Sequence, residues 1–369
     1  MDWPNFFFVS PSKTNILQKP LFQSSILGWY YRHKRDLPWR KSKDPYIIWL
    51  SEIILQQTRV NQGLPYFQKF VKNYPQVEDL AKASEDQVMK DWEGLGYYSR
   101  ARNLHATAKY VSENLDGDFP QKYDELLKLK GVGSYTAAAI SSFVAGEPRA
   151  VLDGNVFRVL SRYFAIRTPI NTTAGKKQFE KLANEMLDIN FAADYNQAIM
   201  EFGAVQCVPK SPNCEACVLG ESCAAYAKSE VGKFPVKEKK KYDRQRYLTF
   251  IIINNKGKVA VQQRTENDIW RQLFQFPLIE ADDLLSPEQV LQSIDSNSPV
   301  IKEVMDLKPH KLSHQTIHCR MVKMEVNAPV NLPMAKDVKW VPVAKLKDYA
   351  FPKPLRAYLD RKQLTLPIG

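Results

Sequence analysis

The sequence predicts two parts, a mainly α N-terminal region and an α+β C-terminal domain. Three observations carry this. From about Pro20 to Ala227 apolar residues recur at helical spacing between caps and short Gly or Pro breaks. Beyond a basic stretch the period shortens to that of strands, and four cysteines cluster just before the change. A chain of 369 residues is long enough for two domains, each with its own core.

Taken in order, residues 1–20 read as an N-terminal extension, residues 21–228 as the helical part, 229–246 as a linker and 247–369 as the second domain. The Phe6-Phe7-Phe8-Val9 patch is too short for a signal sequence or a membrane span, and no apolar run of the length of a span exists. A soluble intracellular protein is expected. The net charge of +12 favours a polyanionic partner without naming it. The linker concentrates that charge, with Lys233, Lys237, Lys239, Lys240, Lys241, Arg244 and Arg246 against Glu230, Glu238 and Asp243.

Within the helical part, Asp44 to Val60 reads as one helix with Glu52 inside an apolar run and Glu52, Gln56 and Arg59 on one face. Such a face is either a solvated stripe or the wall of a cleft. In a cleft, apolar neighbours raise the pKa of Glu52 and keep a proton available for donation. A second carboxylate, Asp153, precedes a new helix and suits an N-cap; the helix start would lower its pKa and keep it ionised. A protonated Glu beside an ionised Asp is the pair that glycosidic cleavage uses.

Asp124 to Ile140 ends one helix at Gly131 and begins another after Gly133. Two glycines allow a tight turn whose N–H groups, with the positive end of the second helix, can hold a phosphate. A plain helical hairpin has the same local sequence. With the basic charge and the cysteines alongside, the hairpin-helix-hairpin of DNA repair enzymes is the better reading.

Cys207, Cys214, Cys217 and Cys223 form a C-x6-C-x2-C-x5-C pattern. Four thiols so close can surround one soft metal centre, and a single tight pair suits a cubane iron–sulfur cluster better than zinc, which more often takes two separated C-x2-C pairs. The fifth cysteine, Cys319, lies in an alternating strand pattern and reads as a packed side chain.

In the C-terminal part, Tyr247–Ile253 and Lys258–Arg264 flank a turn at Asn254–Gly257 and predict a hairpin. Ser286-Pro287-Glu288-Gln289 starts a capped helix, and Thr316–Val326 a strand. Trp270 to Pro277 is similar to the entry to the metal-binding box of Nudix hydrolases, but the glycine-led R-E-x-x-E-E sequence does not follow. A recognition module is expected rather than a hydrolase.

The strings Leu37-Pro38-Trp39-Arg40, Trp49–Glu52 through Leu55–Thr58, Gly94–Leu104, Gly131-Val132-Gly133, Leu152–Val156 and the cysteine quartet occur in order over about residues 25–225. Together they resemble the MutY-type adenine DNA glycosylases of the endonuclease III superfamily, and the remainder resembles, more weakly, that family's MutT/Nudix-like domain. The resemblance implies a hairpin-helix-hairpin glycosylase fold with an iron–sulfur cluster loop. It implies removal of adenine mispaired with 8-oxoguanine, or with guanine, from double-stranded DNA.

By that resemblance Glu52 protonates N7 of the flipped adenine, and Asp153 stabilises the oxocarbenium ion or attacks it as a nucleophile. Tyr135 and Asn155 support this centre. Arg35 and Arg40 line the adenine side, and Gln57, Thr58, Leu95 and Tyr97 fill or wedge the duplex. Gly131 and Gly133 hold a phosphate. The cysteines ligate one [4Fe-4S] cluster, whose loop sets Lys210 against another phosphate, so that loss of metal weakens DNA binding before it alters chemistry. A monomer in a bacterial cytoplasm, on the nucleoid and with no membrane partner, is implied.

Bifunctional endonuclease III enzymes carry a lysine two residues after the Gly-Val-Gly turn, where it attacks the sugar as a Schiff-base nucleophile. Here that position is Tyr135, and a phenol forms no imine, so base release without efficient strand cleavage is expected. In the C-terminal domain the family's Phe-Ser-His loop reads 8-oxoguanine; here Leu312-Ser313-His314 keeps the polar pair and lacks the aromatic ring. The rivals are an oxidised-pyrimidine glycosylase with lyase activity, opposed by Tyr135, and a non-catalytic iron–sulfur DNA-binding or redox-sensing protein, opposed by the Glu52 and Asp153 pair. A Nudix nucleotide hydrolase is opposed by the missing box.

Overall fold

The computed structural model describes residues 11–238, 244–294, 299–312, 314–326 and 332–361, with side chains from residue 19 onward. Ser313, the stretch Lys239–Asp243 of the basic linker and the Phe6–Val9 patch lie outside the described residues. Helices run α1 Pro11–His33, α2 Pro45–Leu55, α3 Val60–Asn73, α4 Val77–Lys82, α5 Glu85–Asp91, α6 Ser99–Asn114, α7 Tyr123–Leu126, α8 Ser134–Ala145, α9 Gly154–Tyr163, α10 Thr173–Met186, α11 Ala192–Val205 and α12 Ala224–Ala227. Strands β1 Arg244–Asn255, β2 Lys258–Gln263, β3 Phe274–Gln275 and β4 Leu278–Ala281 follow. After α13 Pro287–Gln292 come β5 Val300–Asp306, β6 His310–Lys311, β7 Gln315–Glu325, β8 Lys339–Pro342 and α14 Lys353–Arg361. No described helix is long and apolar enough to cross a membrane.

The chain divides into two compact units, residues 1–56 with 110–239 and residues 57–109 with 240–369. In the first, α11 packs on α1, α8 and α9, and α2 packs on α8. Its core is aromatic where helices meet: Phe22 packs tilted against Tyr163, Trp29 meets Phe202 edge-on and Trp49 leans on Phe119. The segment α7, turn, α8 runs helix, hairpin, helix, the order read from Asp124 to Ile140, so the motif is properly named helix-hairpin-helix. Of its two glycines only Gly131 is left-handed (φ 81°), whereas Gly133 is extended and caps α8 with open space around it. The turn thus needs one glycine for its backbone, not two.

The helix expected over Asp44–Val60 is shorter. It starts as read, with Asp44 capping the Tyr46 N–H at 2.8 Å, but ends at Leu55. Gln56 leaves the helical region and Gln57 is left-handed (φ 56°), so the helix is interrupted before α3, which takes Arg59 as its N-cap. Gln56 and Arg59 therefore do not share a helical face with Glu52.

The second unit joins α3–α5 and most of α6 to an eight-stranded mixed sheet of order β3-β2-β1-β7-β5, with β4 also on β1, β6 on β7 and β8 on β2. The expected hairpin is present, Asn254 pairing Val259 across a turn with Lys256 and Gly257 both at positive φ. β1 runs parallel to β7 from Arg244↔Gln315 to Asn254↔Glu325, and the other pairs are antiparallel. Phe250, Ile251, Ile252 and Ile253 are all buried because both faces of β1 are covered. One face packs Ile251, Ile253, Val322 and Met324 against Val290 and Ile294 of the α13 segment. That helix begins with the expected cap, a reciprocal box between Ser286 and Gln289.

Cys319 faces the sheet core at 2% exposure, the packed role its alternation predicts. His318 stacks on Tyr247 at 4.8 Å and bonds Gln245 at 2.8 Å, on an interior strand of the sheet. Within the same unit Glu93 accepts the Phe351 N–H and the Arg356 guanidinium, both at 2.8 Å, and Arg102 donates to the Arg271 carbonyl at 2.8 Å. These bonds knit the helical segment to the sheet.

Candidate active site

Glu52 lies three residues before the end of α2, flanked by Leu50, Ser51, Ile53 and Ile54, all buried. It is 7% exposed, so the solvated-stripe alternative does not apply. Burial pushes its carboxyl up to about 7; the Tyr135 hydroxyl, which donates to it, pulls the other way, and the Asp153 charge adds to the rise. Tyr135 is the second residue of α8, and burial and these two carboxylates hold its phenol well above its usual range. Tyr135 is therefore a neutral donor at any working pH.

Asp153 is the N-cap of α9. Its Oδ1 accepts the Asn155 and Val156 N–H groups at 2.9 and 2.8 Å, and its Oδ2 accepts the Asn155 side-chain amide at 2.7 Å. The expected cap is present, but its expected electrostatic consequence is not. Burial raises the Asp153 pKa, and the bonds to Val156 and Asn155 only oppose that rise. The helix-start rule loses to desolvation here. Even so, three N–H donors favour its charged form over that of Glu52, which takes a single phenol.

The Asp153 carboxylate is part of a longer chain of bonds. Asn155 Oδ1 accepts Arg158 Nη2 at 2.8 Å, and Arg158 Nε donates to the Cys207 carbonyl at 2.8 Å. Arg162, 2% exposed, holds the same loop through the Val208 and Pro209 carbonyls at 2.8 and 3.0 Å and lies 3.3 Å from Cys207 Sγ. Gly203 of α11 lets α9 approach: a Cβ there would fall 2.7 Å from Asn155 Cβ and 3.0 Å from its carbonyl oxygen.

All four cysteines, Cys207, Cys214, Cys217 and Cys223, line one cavity together with Arg162, Tyr163 and Leu219. No three of the described His, Cys, Asp and Glu side chains close on a single ion. Burial, then mutual repulsion, raises the Cys214 thiol, and Cys217 is pushed up to about 11 by burial. Four thiols around one shared cavity are a donor set that suits a soft metal centre. Lys210 is exposed on this loop.

With this geometry in view, residues 50–187 match the HhH-GPD superfamily base excision DNA repair protein family, and residues 248–361 match a NUDIX domain. The adenine DNA glycosylase of Buchnera aphidicola subsp. Schizaphis graminum is 33% identical over 346 residues, which is 92% of this chain and 98% of that relative. The chain belongs to the adenine DNA glycosylase family. The human adenine DNA glycosylase is 40% identical over 225 residues, 58% of this chain and 41% of the human protein. A thermostable thymine-DNA glycosylase of known structure aligns with a TM-score of 0.53 at 31% identity, over 58% of this chain and 100% of that one. The protein is thus a base excision repair glycosylase for adenine, and it acts on DNA.

For an adenine glycosylase the largest omission from the sequence reading is Glu201, 1% exposed in α11. Its Oε1 accepts the Arg35 N–H and Nε at 2.9 and 2.8 Å, and its Oε2 accepts Arg35 Nη2 and Arg40 Nη2, both at 2.7 Å. Burial raises its pKa, but the two guanidinium groups outweigh that and hold it at about 2. Arg35 and Arg40 are thus oriented by Glu201. The signal that singled out Glu52, an acid inside an apolar helix, was also present in Ala198-Ile199-Met200-Glu201-Phe202.

In the second unit the glycosylase's other predicted contacts divide. Gln57 is exposed and Thr58 half-buried; Tyr97 is 56% exposed, but Leu95 is tucked in at 6%. Leu95 and Tyr97 line a cavity of about 500 Å³ together with Trp270, His310, Leu312 and His314. His310 packs 6.2 Å from the Trp270 ring, and burial, aided by Lys353, lowers its pKa, so it is neutral at pH 7.

Proposed function

We propose that this adenine DNA glycosylase removes adenine opposite 8-oxoguanine, and opposite guanine, by hydrolysis alone, leaving the strand intact. The observation that carries this reading is the Glu52 carboxyl, buried, raised to about 7 and paired with a neutral Tyr135 hydroxyl beside Asp153. A carboxyl with that pKa still holds a proton near neutrality and can give it to a leaving base. Glu52 protonates N7 of the extruded adenine, the glycosidic bond breaks with its electrons going to the base, and Asp153 faces the oxocarbenium carbon that water then attacks. Asn155 keeps Asp153 in place; Glu201 sets Arg35 and Arg40 on the adenine side.

Tyr135 supplies no amine, so no Schiff base with the sugar can form at that position. Gly131, Gly133 and Lys210 are exposed and suit phosphate contacts, while Gln57, Thr58 and Tyr97 meet the duplex. Residues 21–228 perform the chemistry and 247–369 read the opposite base through Ser313 and His314. The enzyme acts as a monomer on chromosomal DNA of a bacterial cytoplasm.

Cys207, Cys214, Cys217 and Cys223 hold one [4Fe-4S] cluster in this reading. Bound there, it cross-links the loop that carries Lys210. Because the Cys207 carbonyl connects through Arg158 and Asn155 to Asp153, the loop supports the carboxylate as well as the DNA contact. Iron and acid-labile sulfide analysis should return about four of each per chain.

Single-turnover cleavage of duplexes with adenine opposite 8-oxoguanine, guanine or cytosine tests the whole reading. The expected order of rates is 8-oxoguanine first, guanine next and cytosine last, with strand breaks appearing only after alkali and no adduct trapped by borohydride. Equal cleavage with and without alkali would overturn the monofunctional mechanism. Equal rates opposite guanine and 8-oxoguanine would overturn the lesion preference.

A further inference from the structure

The loop that carries Tyr97 is held in an unusual conformation. Gly94, Gly96 and Tyr97 are left-handed in close succession, at φ 100°, 73° and 46°. At Gly94 an added Cβ would sit 2.5 Å from the Tyr66 hydroxyl, so that ring, whose hydroxyl donates to the Glu93 carbonyl, would have to move. For Tyr97 the positive φ is a strained choice that its surroundings must impose.

Arg100, in the first turn of α6, is the side chain those surroundings share. Its guanidinium carbon lies 5.1 Å from the centre of the Trp92 ring and 5.7 Å from that of Tyr97. Its Nη2 is 3.4 Å from both the Gly96 carbonyl and Thr58 Oγ1, and its backbone N–H donates to the Tyr97 carbonyl at 2.9 Å. The Trp92 indole N–H also donates to Gly96, at 3.1 Å. Arg100 is 9% exposed against 56% for Tyr97, so it is placed to act on the tyrosine and not on DNA. Burial lowers its pKa to about 10, which leaves it charged at neutral pH.

We propose that Arg100 is a positioning residue that sets the outward pose of the Tyr97 ring and so governs how fast adenine leaves the stack. The inference rests on Tyr97 entering the duplex as read above. A planar guanidinium can offer one face to each ring while its edge bonds the Gly96 carbonyl and Thr58; an ammonium cannot do both. With the platform gone, Tyr97 is free to leave the strained pose, and extrusion loses a wedge that is already in place.

The test follows the fluorescence of 2-aminopurine placed opposite 8-oxoguanine, in stopped flow, for Arg100→Lys, Arg100→Met, Tyr97→Ala and the Tyr97→Ala/Arg100→Lys double variant. Extrusion in Arg100→Lys and Arg100→Met should slow by about 3- to 30-fold, the range a ring-face cation contact corresponds to. Melting temperature and affinity for undamaged duplex should stay near the parent's in Arg100→Lys. The double variant should be no slower than Tyr97→Ala alone, because Arg100 acts through that ring. Losses that multiply in the double variant assign Arg100 a general structural role and overturn the proposal, as does a parental rate in Arg100→Lys. A parental rate in Tyr97→Ala defeats the wedge reading itself, a different outcome from either.

Discussion

Glu52→Gln should retain duplex binding and lose adenine release, by about 10²–10⁴-fold at single turnover, the range a positioned proton donor contributes. Glutamine matches the carboxyl in shape and can still accept the Tyr135 hydroxyl, so the substitution removes little but the proton. The wild-type protein carries its own control in pH. With the Glu52 pKa at about 7, the acid form dominates below neutrality, and excision should fall by about tenfold per pH unit well above it. In the variant this limb should vanish along with the activity.

A third readout concerns stability. The folded pKa of about 7 lies above the usual 4.5, so stability is full below 4.5 and is lost as pH rises towards 7. The gap corresponds to about 3 kcal/mol at pH 8. Glu52→Gln escapes that loss and should melt above the parent at pH 8 and close to it at pH 4.5. Near-normal excision by the variant, measured as single-turnover release from an 8-oxoguanine pair, would remove Glu52 from the acid role.

Asp153→Asn separates the two jobs of its residue. An asparagine can still accept the Asn155 and Val156 N–H groups, so the α9 cap should survive. It has no charge to offer a developing cation, and its amide would face the Asn155 amide where Oδ2 now accepts at 2.7 Å. Excision should drop by about 10²–10³-fold, the scale of losing one preorganised electrostatic partner. Thermal melting should hold or rise, because burial disfavours the charge that is removed. A parallel fall in melting temperature and activity would mean that Asp153 is a cap and nothing more.

Local rules were legible where the chain decides locally. Ser286 announced a capped helix, Asp153 an N-cap, Asn254–Gly257 a hairpin turn, and alternation around Cys319 a packed strand face. They failed where distant segments decide. The helix start at Asp153 promised a lowered pKa, but packing from elsewhere in the fold buries the carboxyl and reverses the sign. The shared face of Glu52 and Arg59 dissolved because Gln57 turns left-handed, a break that no proline or glycine marks.

The site shows the same boundary. Arg35 and Arg40 were found through resemblance, but the buried Glu201 that aims them lies more than 160 positions along the chain. Its ion pairs are invisible to any window of periodicity. Arg100 enters the sequence reading only within the string Gly94–Leu104, and its contacts with Trp92, Gly96 and Tyr97 come from a loop whose left-handed residues no spacing rule marks.

The close approach at Gly203 bears on how inherited changes in such a chain would present. The position lies inside a regular helix, so a methyl group there looks harmless on paper. Yet the only space it could occupy is already filled by Asn155, the residue that holds the carboxylate. Gly203→Ala should therefore slow adenine release by displacing Asn155, although no residue of the proposed chemistry is altered.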